Sequence, residues 1–131
     1  MVDEAEQAPA GDFLERLRPI ALAFPEVNER LSHGAPTFFV RDKRVLCHLF
    51  SNHHGRQQSA LWCPAPPGVQ AELVEQEPDR FFVPPYVGHR GWIGLDLEVD
   101  PDWDEIDALL DEAYRLVAPR TLVVRLDRDG A

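Results

Sequence analysis

The sequence predicts an α+β fold, a small antiparallel sheet of about five strands packed against N- and C-terminal helices. Apolar residues recur at helical spacing near both ends, in "DFLERLRPIALAF" and "DPDWDEIDALLDEAYRLVAP". Between them lie aromatic and β-branched runs, "TFFV", "RVLCHLF", "SALWC", "RFFV" and "GWIGLDLEV", bounded by turn residues. Neither an internal repeat nor a linker interrupts the pattern, so residues 12–126 are expected to form one domain behind a tail at 1–11.

The elements follow in order. Asp12 is placed to cap a first helix carrying Phe13, Leu14, Leu17, Ile20, Ala21 and Phe24, in which Pro19 should introduce a kink or a break. "PEVNERLSHGAP" predicts a second helical turn from Glu26 to about Leu31, stopped by Gly34 and Pro36. On that reading His33-Gly34 is punctuation between helix and sheet, with Gly34 in the left-handed conformation. "TFFVRD" and "KRVLCHLFS" form a hairpin around Asp42-Lys43, "SNHHGRQQ" makes the next turn, and "SALWC" gives a third strand. Alternation in these runs is weak, as in strands buried on both faces or of unresolved period.

"PAPPGVQAELVEQEP" sets Val69, Leu73 and Val74 on one helical face. Strand segments at Arg80–Val83 and Gly91–Val99 follow, joined across Pro84-Pro85 and Gly88. In the last long helix, Asp100 is the expected N-cap and Pro101 the first helical residue, with acids complementing the helix dipole. Trp103, Ile106, Leu109, Leu110, Ala113, Leu116 and Val117 make the stripe expected to be buried, and Asp111 and Arg115 a favourable pair. Pro119 ends the helix, and "RTLVVRLD" reads as a last strand or a short helix, with strand favoured.

Composition bounds the function. The chain has 131 residues, 44% of them hydrophobic and 27% charged, as expected of a globular protein with a true core. No apolar run reaches the roughly 20 residues of a membrane span. The acidic N-terminus lacks the basic start and apolar centre of a signal peptide, which predicts a cytoplasmic protein. Cys47 and Cys63 are too few for a secreted disulfide scaffold.

Net charge is −10, which repels polyanions at long range, but its distribution is uneven. From Arg30 to Arg56 five basic residues accompany a single acid, Asp42, whereas nine acids and no Lys or Arg lie between Asp96 and Glu112.

Arg41, Lys43, Arg44 and Arg56, with Arg90 in a later turn, form the candidate nucleic-acid surface, suited to weak, salt-sensitive contact with DNA phosphates. His33, Tyr86, His89 and Trp92 form the competing candidate, a site for a small molecule or protein partner, with Tyr86 best placed at a pocket rim. No constellation of nucleophile, base and orienting group is visible, so the expectation is a binding protein, not an enzyme. No cofactor is implied and no metal site is assigned. Cys47 and His48 point to opposite faces of a strand, and His53-His54 sit in a turn.

Four short stretches carry a resemblance: His33-Gly34-x-Pro36-Thr37-Phe38, Pro84-Pro85-Tyr86, Gly91-Trp92-Ile93-Gly94 and Tyr114-x-Leu116-Val117-Ala118-Pro119. In this order and spacing they resemble the MmcQ/YjbR family over roughly residues 14–119. The resemblance implies a small antiparallel sheet with packed helices, similar to the frataxin/CyaY architecture. It also implies a DNA-binding label, drawn in the family from a double wing of hairpins. Frataxin-like proteins use an acidic ridge for iron, and that analogy suggests a metal role for the acidic face of Asp104, Asp107 and Asp111, but the residues themselves favour a solvated helix face.

Overall fold

The computed structural model describes residues 13–50 and 59–129. The expected tail at 1–11, the cap at Asp12 and the turn "SNHHGRQQ", with His53, His54 and Arg56, lie outside the described residues. Helix α1 covers residues 13–21; strands β1 (Val27–Ser32), β2 (Ala35–Val40), β3 (Arg44–Phe50) and β4 (Ala60–Cys63) follow. Then come α2 (Val69–Gln76), β5 (Phe81–Phe82), a 3-10 turn at Gly88–Arg90, β6 (Ile93–Asp96), α3 (Trp103–Val117) and α4 (Arg120–Asp129). The strands make one antiparallel sheet in the order β1-β2-β3-β4-β6-β5. Among the described residues no helix is long and apolar enough to cross a membrane.

The α+β class is as the sequence predicts, with six strands in place of five. The added strand is β1, where a helical turn was expected. Its residues pair with β2 from Val27↔Val40 to Ser32↔Ala35, leaving His33-Gly34 as a two-residue loop. Both loop residues have positive φ, 54° at His33 and 79° at Gly34, which is the type I′ geometry that matches the twist of a hairpin. His33-Gly34 therefore joins two strands rather than ending a helix. The left-handed Gly34 was foreseen, but for the wrong element.

Three further corrections concern helices. Pro19 does not split α1, which ends at residue 21, three residues before Phe24. Asp102, not Asp100, caps α3: its carboxylate accepts from the backbone N–H of Asp104 and Glu105. "RTLVVRLD" is helix α4, not a strand, because Leu122 enters the core and Leu126 packs against it at helical spacing. The β-propensity of Val123-Val124 loses to that burial.

One face of the sheet carries the core. Phe38 and Val40 of β2, Cys47 and Leu49 of β3, Leu61 and Cys63 of β4, Phe81 of β5, and Ile93 and Leu95 of β6 pack beneath the helices. Ile106, Leu110, Ala113, Tyr114 and Val117 of α3 and Leu17 and Ala21 of α1 complete it. Tyr114 stacks on Phe24 and donates its hydroxyl proton to the Pro25 carbonyl at 2.8 Å. Leu116, expected in the buried stripe, is 43% exposed. The predicted Asp111–Arg115 pair forms at 2.6 Å, and Arg115 also reaches Asp127, tying α3 to α4.

A β-bulge sets the other face. Phe38 pairs with Cys47 but Phe39 pairs with Val45, so Leu46 is an extra residue in β3. Leu46 and Cys47 are consecutive and both fully buried. This is why β3 showed no clean alternation, and it brings Val45 and His48 to the same, open face.

Candidate functional site

On the open face the register lines up one row across all six strands: Arg30, Thr37, His48, Trp62, Gly94 and Phe82. Much of its surroundings is aromatic. The His48 ring lies 5.8 Å from Trp92 and 5.3 Å from Phe50, and Phe50 lies 4.2 Å from Trp62, centroid to centroid. Gly94 makes the row possible at its far end. A Cβ there would stand 2.4 Å from ring atoms of Phe82, so only glycine lets that ring cross β6.

Two depressions border this face, the second reaching round to the C-terminal end of α3. The first, of about 540 Å³, is lined by Ser32, His33, Phe50, Trp62 and Tyr86. The second, of about 550 Å³, is lined by Lys43, Arg44, Arg90, Trp92 and the apolar Pro64, Pro67 and Leu116. Val45, His48 and Val87 belong to both walls, so the two adjoin as lobes of one groove.

The segment over the groove is anchored from below. Gln70 of α2 donates both amide protons of Nε2, at 2.8 Å to the Gly88 carbonyl and 2.6 Å to the Trp92 carbonyl. Turn hydrogen bonds from Arg90 N–H to the Val87 carbonyl and from Gly91 N–H to the Gly88 carbonyl, both 3.0 Å, complete the 3-10 turn. A Cβ on Gly88 would stand 2.4 Å from the Val83 side chain. Arg90, Trp92 and Val87 are thus presented by a packed loop.

Tyr86 is the strained element. It is 79% exposed with φ of 70°, and the Val87 N–H donates to the Pro85 carbonyl across it at 2.7 Å. A hydrogen bond between residues i and i+2 around a positive φ is the rare, costly form of the γ-turn.

His48 is central and neutral. Its Nδ1 lies 2.9 Å from the Thr37 hydroxyl, which is itself 3.0 Å from the Ala35 carbonyl. A carbonyl only accepts, so the Thr37 proton goes to Ala35 and Nδ1–H donates to Thr37 Oγ1. Nε2 is then a bare acceptor with no partner among the described residues. Burial, with a smaller contribution from the nearby charge of His33, lowers the imidazole from 6.5 to about 4.

The sequence-derived candidates separate on the structure. Lys43, Arg44, Arg90 and Trp92 come together in one lobe, and His33 and Tyr86 in the other. Arg41 is elsewhere engaged: its guanidinium holds Glu26 at 2.8 Å and its backbone N–H donates to the Glu26 carbonyl at 2.9 Å. His89 is exposed on the 3-10 turn and lines neither lobe. Asp42 is bound by Arg30 and Asn28. Lys43, Arg44 and Arg90 have no ion-pair partner among the described residues. Trp62 was foreseen among the aromatics that could line a groove against the sheet; sequence reasoning missed His48 and Phe50, because the weak alternation of β3 hides which face they share.

Cys47 lies on the core side of β3 and His48 on the open side. Both cysteines are free and buried; burial drives the Cys47 thiol well above its ordinary range and Cys63 up to about 12. Asp104, Asp107 and Asp111 border a shallow surface depression, and no group of three or more His, Cys, Asp or Glu among the described residues is arranged to hold a metal ion.

Comparison with curated proteins and with solved structures gives no match. A family model does: YjbR matches residues 22–116, a span that takes in all six strands and nearly all of α3, and the chain belongs to the YjbR family.

Proposed function

We propose that this YjbR-family protein is a binding module whose ligand is a small molecule held in the two-lobed groove of the open sheet face. The observation that carries this reading is the meeting of aromatic side chains with cationic ones that have no ion-pair partner among the described residues, around the shared walls Val45, His48 and Val87. A concave, largely apolar site with a few convergent polar groups is the usual form of a small-ligand site. The layering of one antiparallel sheet under N- and C-terminal helices also supports a frataxin/CyaY-type architecture.

A thermal-shift screen of metabolites tests the reading, because a ligand that binds only the folded state raises Tm. Compounds that raise Tm should move the indole signals of Trp62 and Trp92 in NMR spectra and lose their effect in Tyr86→Ala. Hits that leave both indoles unmoved sink the groove as the binding site.

A second reading is weak DNA binding through Lys43, Arg44 and Arg90, favoured by their having no acidic partner among the described residues. Three phosphate contacts give a log–log salt slope of only roughly −2.7, so affinity is modest. Fluorescence anisotropy with duplex DNA at ~50 mM salt measures it. An unchanged signal in Lys43→Glu/Arg44→Glu excludes it.

A further inference from the structure

We infer that the groove takes a flat heteroaromatic ring joined by a short spacer to a phosphate, the chemistry of a nucleoside monophosphate. This rests on the small-ligand reading of the groove and names the ligand class.

Two features of the groove require a ligand with two unlike ends. The lobe bounded by Phe50, Trp62 and Tyr86 has aromatic walls and presents the ring-nitrogen acceptor His48 Nε2. Such walls suit a flat ring, and a neutral imidazole with a bare nitrogen accepts a hydrogen bond from an N–H on its edge. The adjoining lobe presents Lys43, Arg44 and Arg90 without counter-charges among the described residues. Three cations match a dianion better than a monoanion, which favours phosphate over carboxylate. Helix α3 ends at this lobe with Leu116 and Val117, but its negative pole is worth only about half a charge and is outweighed. Because Val45, His48 and Val87 wall both lobes, the spacer between ring and phosphate must be short.

Tyr86 supplies the specificity. An exposed ring held at φ of 70° costs folding stability and makes no aromatic contact among the described residues. Its position on the rim of the aromatic lobe offers it a stacking partner when a ligand ring lies beneath it.

The test is an NMR titration of the full chain with adenosine and uridine monophosphates, the parent nucleosides, inorganic phosphate and a ten-nucleotide single-stranded DNA. The three indoles report by position. Trp62 and Trp92 line the groove, while Trp103 packs against Phe13 and Arg16 and serves as the reference. The monophosphates should move Trp62 and Trp92 but not Trp103, and bind at least about tenfold tighter than nucleoside or phosphate alone. Arg44→Gln with Arg90→Gln should remove that margin. Tyr86→Gly, which relieves the backbone strain and so keeps the fold, should weaken the monophosphates by about tenfold through lost stacking and leave inorganic phosphate unchanged. Equal or weaker binding of the single strand identifies free nucleotide as the source; tighter binding with the same shifts identifies the strand, with the same base-and-phosphate contacts. Monophosphates that move neither indole at millimolar concentration overturn the proposal, as does a nucleoside that binds as tightly as its monophosphate. If other screen hits still move Trp62 and Trp92, only the ligand class falls; if every hit acts elsewhere, the groove reading falls with it.

Discussion

The Thr37 hydroxyl and the His48 imidazole, 2.9 Å apart on neighbouring strands, fix the protonation of the groove's central side chain. Thr37 is fully buried and spends its proton on the Ala35 carbonyl. Nδ1 therefore carries a proton, and because burial lowers the imidazole to about 4, the ring faces the groove at neutral pH with Nε2 as a bare acceptor.

A pH dependence of stability follows. In the unfolded chain His48 protonates near 6.5, and in the folded chain near 4. Between those values the unfolded state holds more protons, so stability is fully present above pH 6.5 and falls as pH drops toward 4. The carboxylates held down by arginines, Glu26 beside Arg41 and Asp127 beside Arg115, start from 4.5 and 3.8 and lose their contribution below most of that window. Urea unfolding near pH 7 and near pH 5 should show a smaller loss in His48→Asn than in the natural protein. Equal losses would place the acid sensitivity elsewhere.

Gln70 is a positioning residue for the loop that carries Arg90 and Trp92. Its amide closes two hydrogen bonds, to Gly88 and Trp92, and each contributes about 1 kcal/mol. Gln70→Ala should lower stability by roughly 1–2 kcal/mol and, more tellingly, raise amide exchange at 86–91 while β2 and β3 stay protected. Uniform loss of protection across the sheet would show that the loop is not held separately.

Much of the fold was legible because its signals are local: the hairpin at Asp42, the strand "SALWC", and the apolar stripe of α3. What was hidden depends on pairing between distant residues. His33-Gly34 reads equally as a helix stop or as a type I′ turn, and only the ladder from Val27↔Val40 to Ser32↔Ala35 decides it. "TLVVRL" has strand propensity, and only the core position of Leu122 makes it helical. The site was half visible. His33, Tyr86, Trp92 and the basic residues could be named from type and turn position, but in two rival sets. The bulge at Leu46 and the Gln70 clamp bring members of both sets, Lys43, Arg44 and Arg90 with His33, Tyr86 and Trp92, into one groove, and neither has a sequence signature.

Gly94 tests the aromatic row directly. Because a methyl group at that position meets the Phe82 ring at 2.4 Å, Gly94→Ala forces the ring off the sheet and should cost about 1–3 kcal/mol. Adding Phe82→Leu removes the clash, so the double variant should be more stable than the sum of the two single changes. Additive losses would mean that the strand, not the ring contact, demands glycine.

The two thiols give the simplest check on the core. Cys47 and Cys63 face the helices from adjacent strands, with 0% and 1% exposure. Only the thiolate is nucleophilic, and burial raises both thiols, Cys63 to about 12 and Cys47 well above its usual 9.0. Folded protein at neutral pH should therefore resist a disulfide-exchange reagent such as Ellman's, reacting only at the rate of unfolding. In denaturant both cysteines should react at once. If labelling of the native state is instead fast and first order in reagent, the sheet's helix-covered face opens far below global unfolding, and the core as described does not hold in solution.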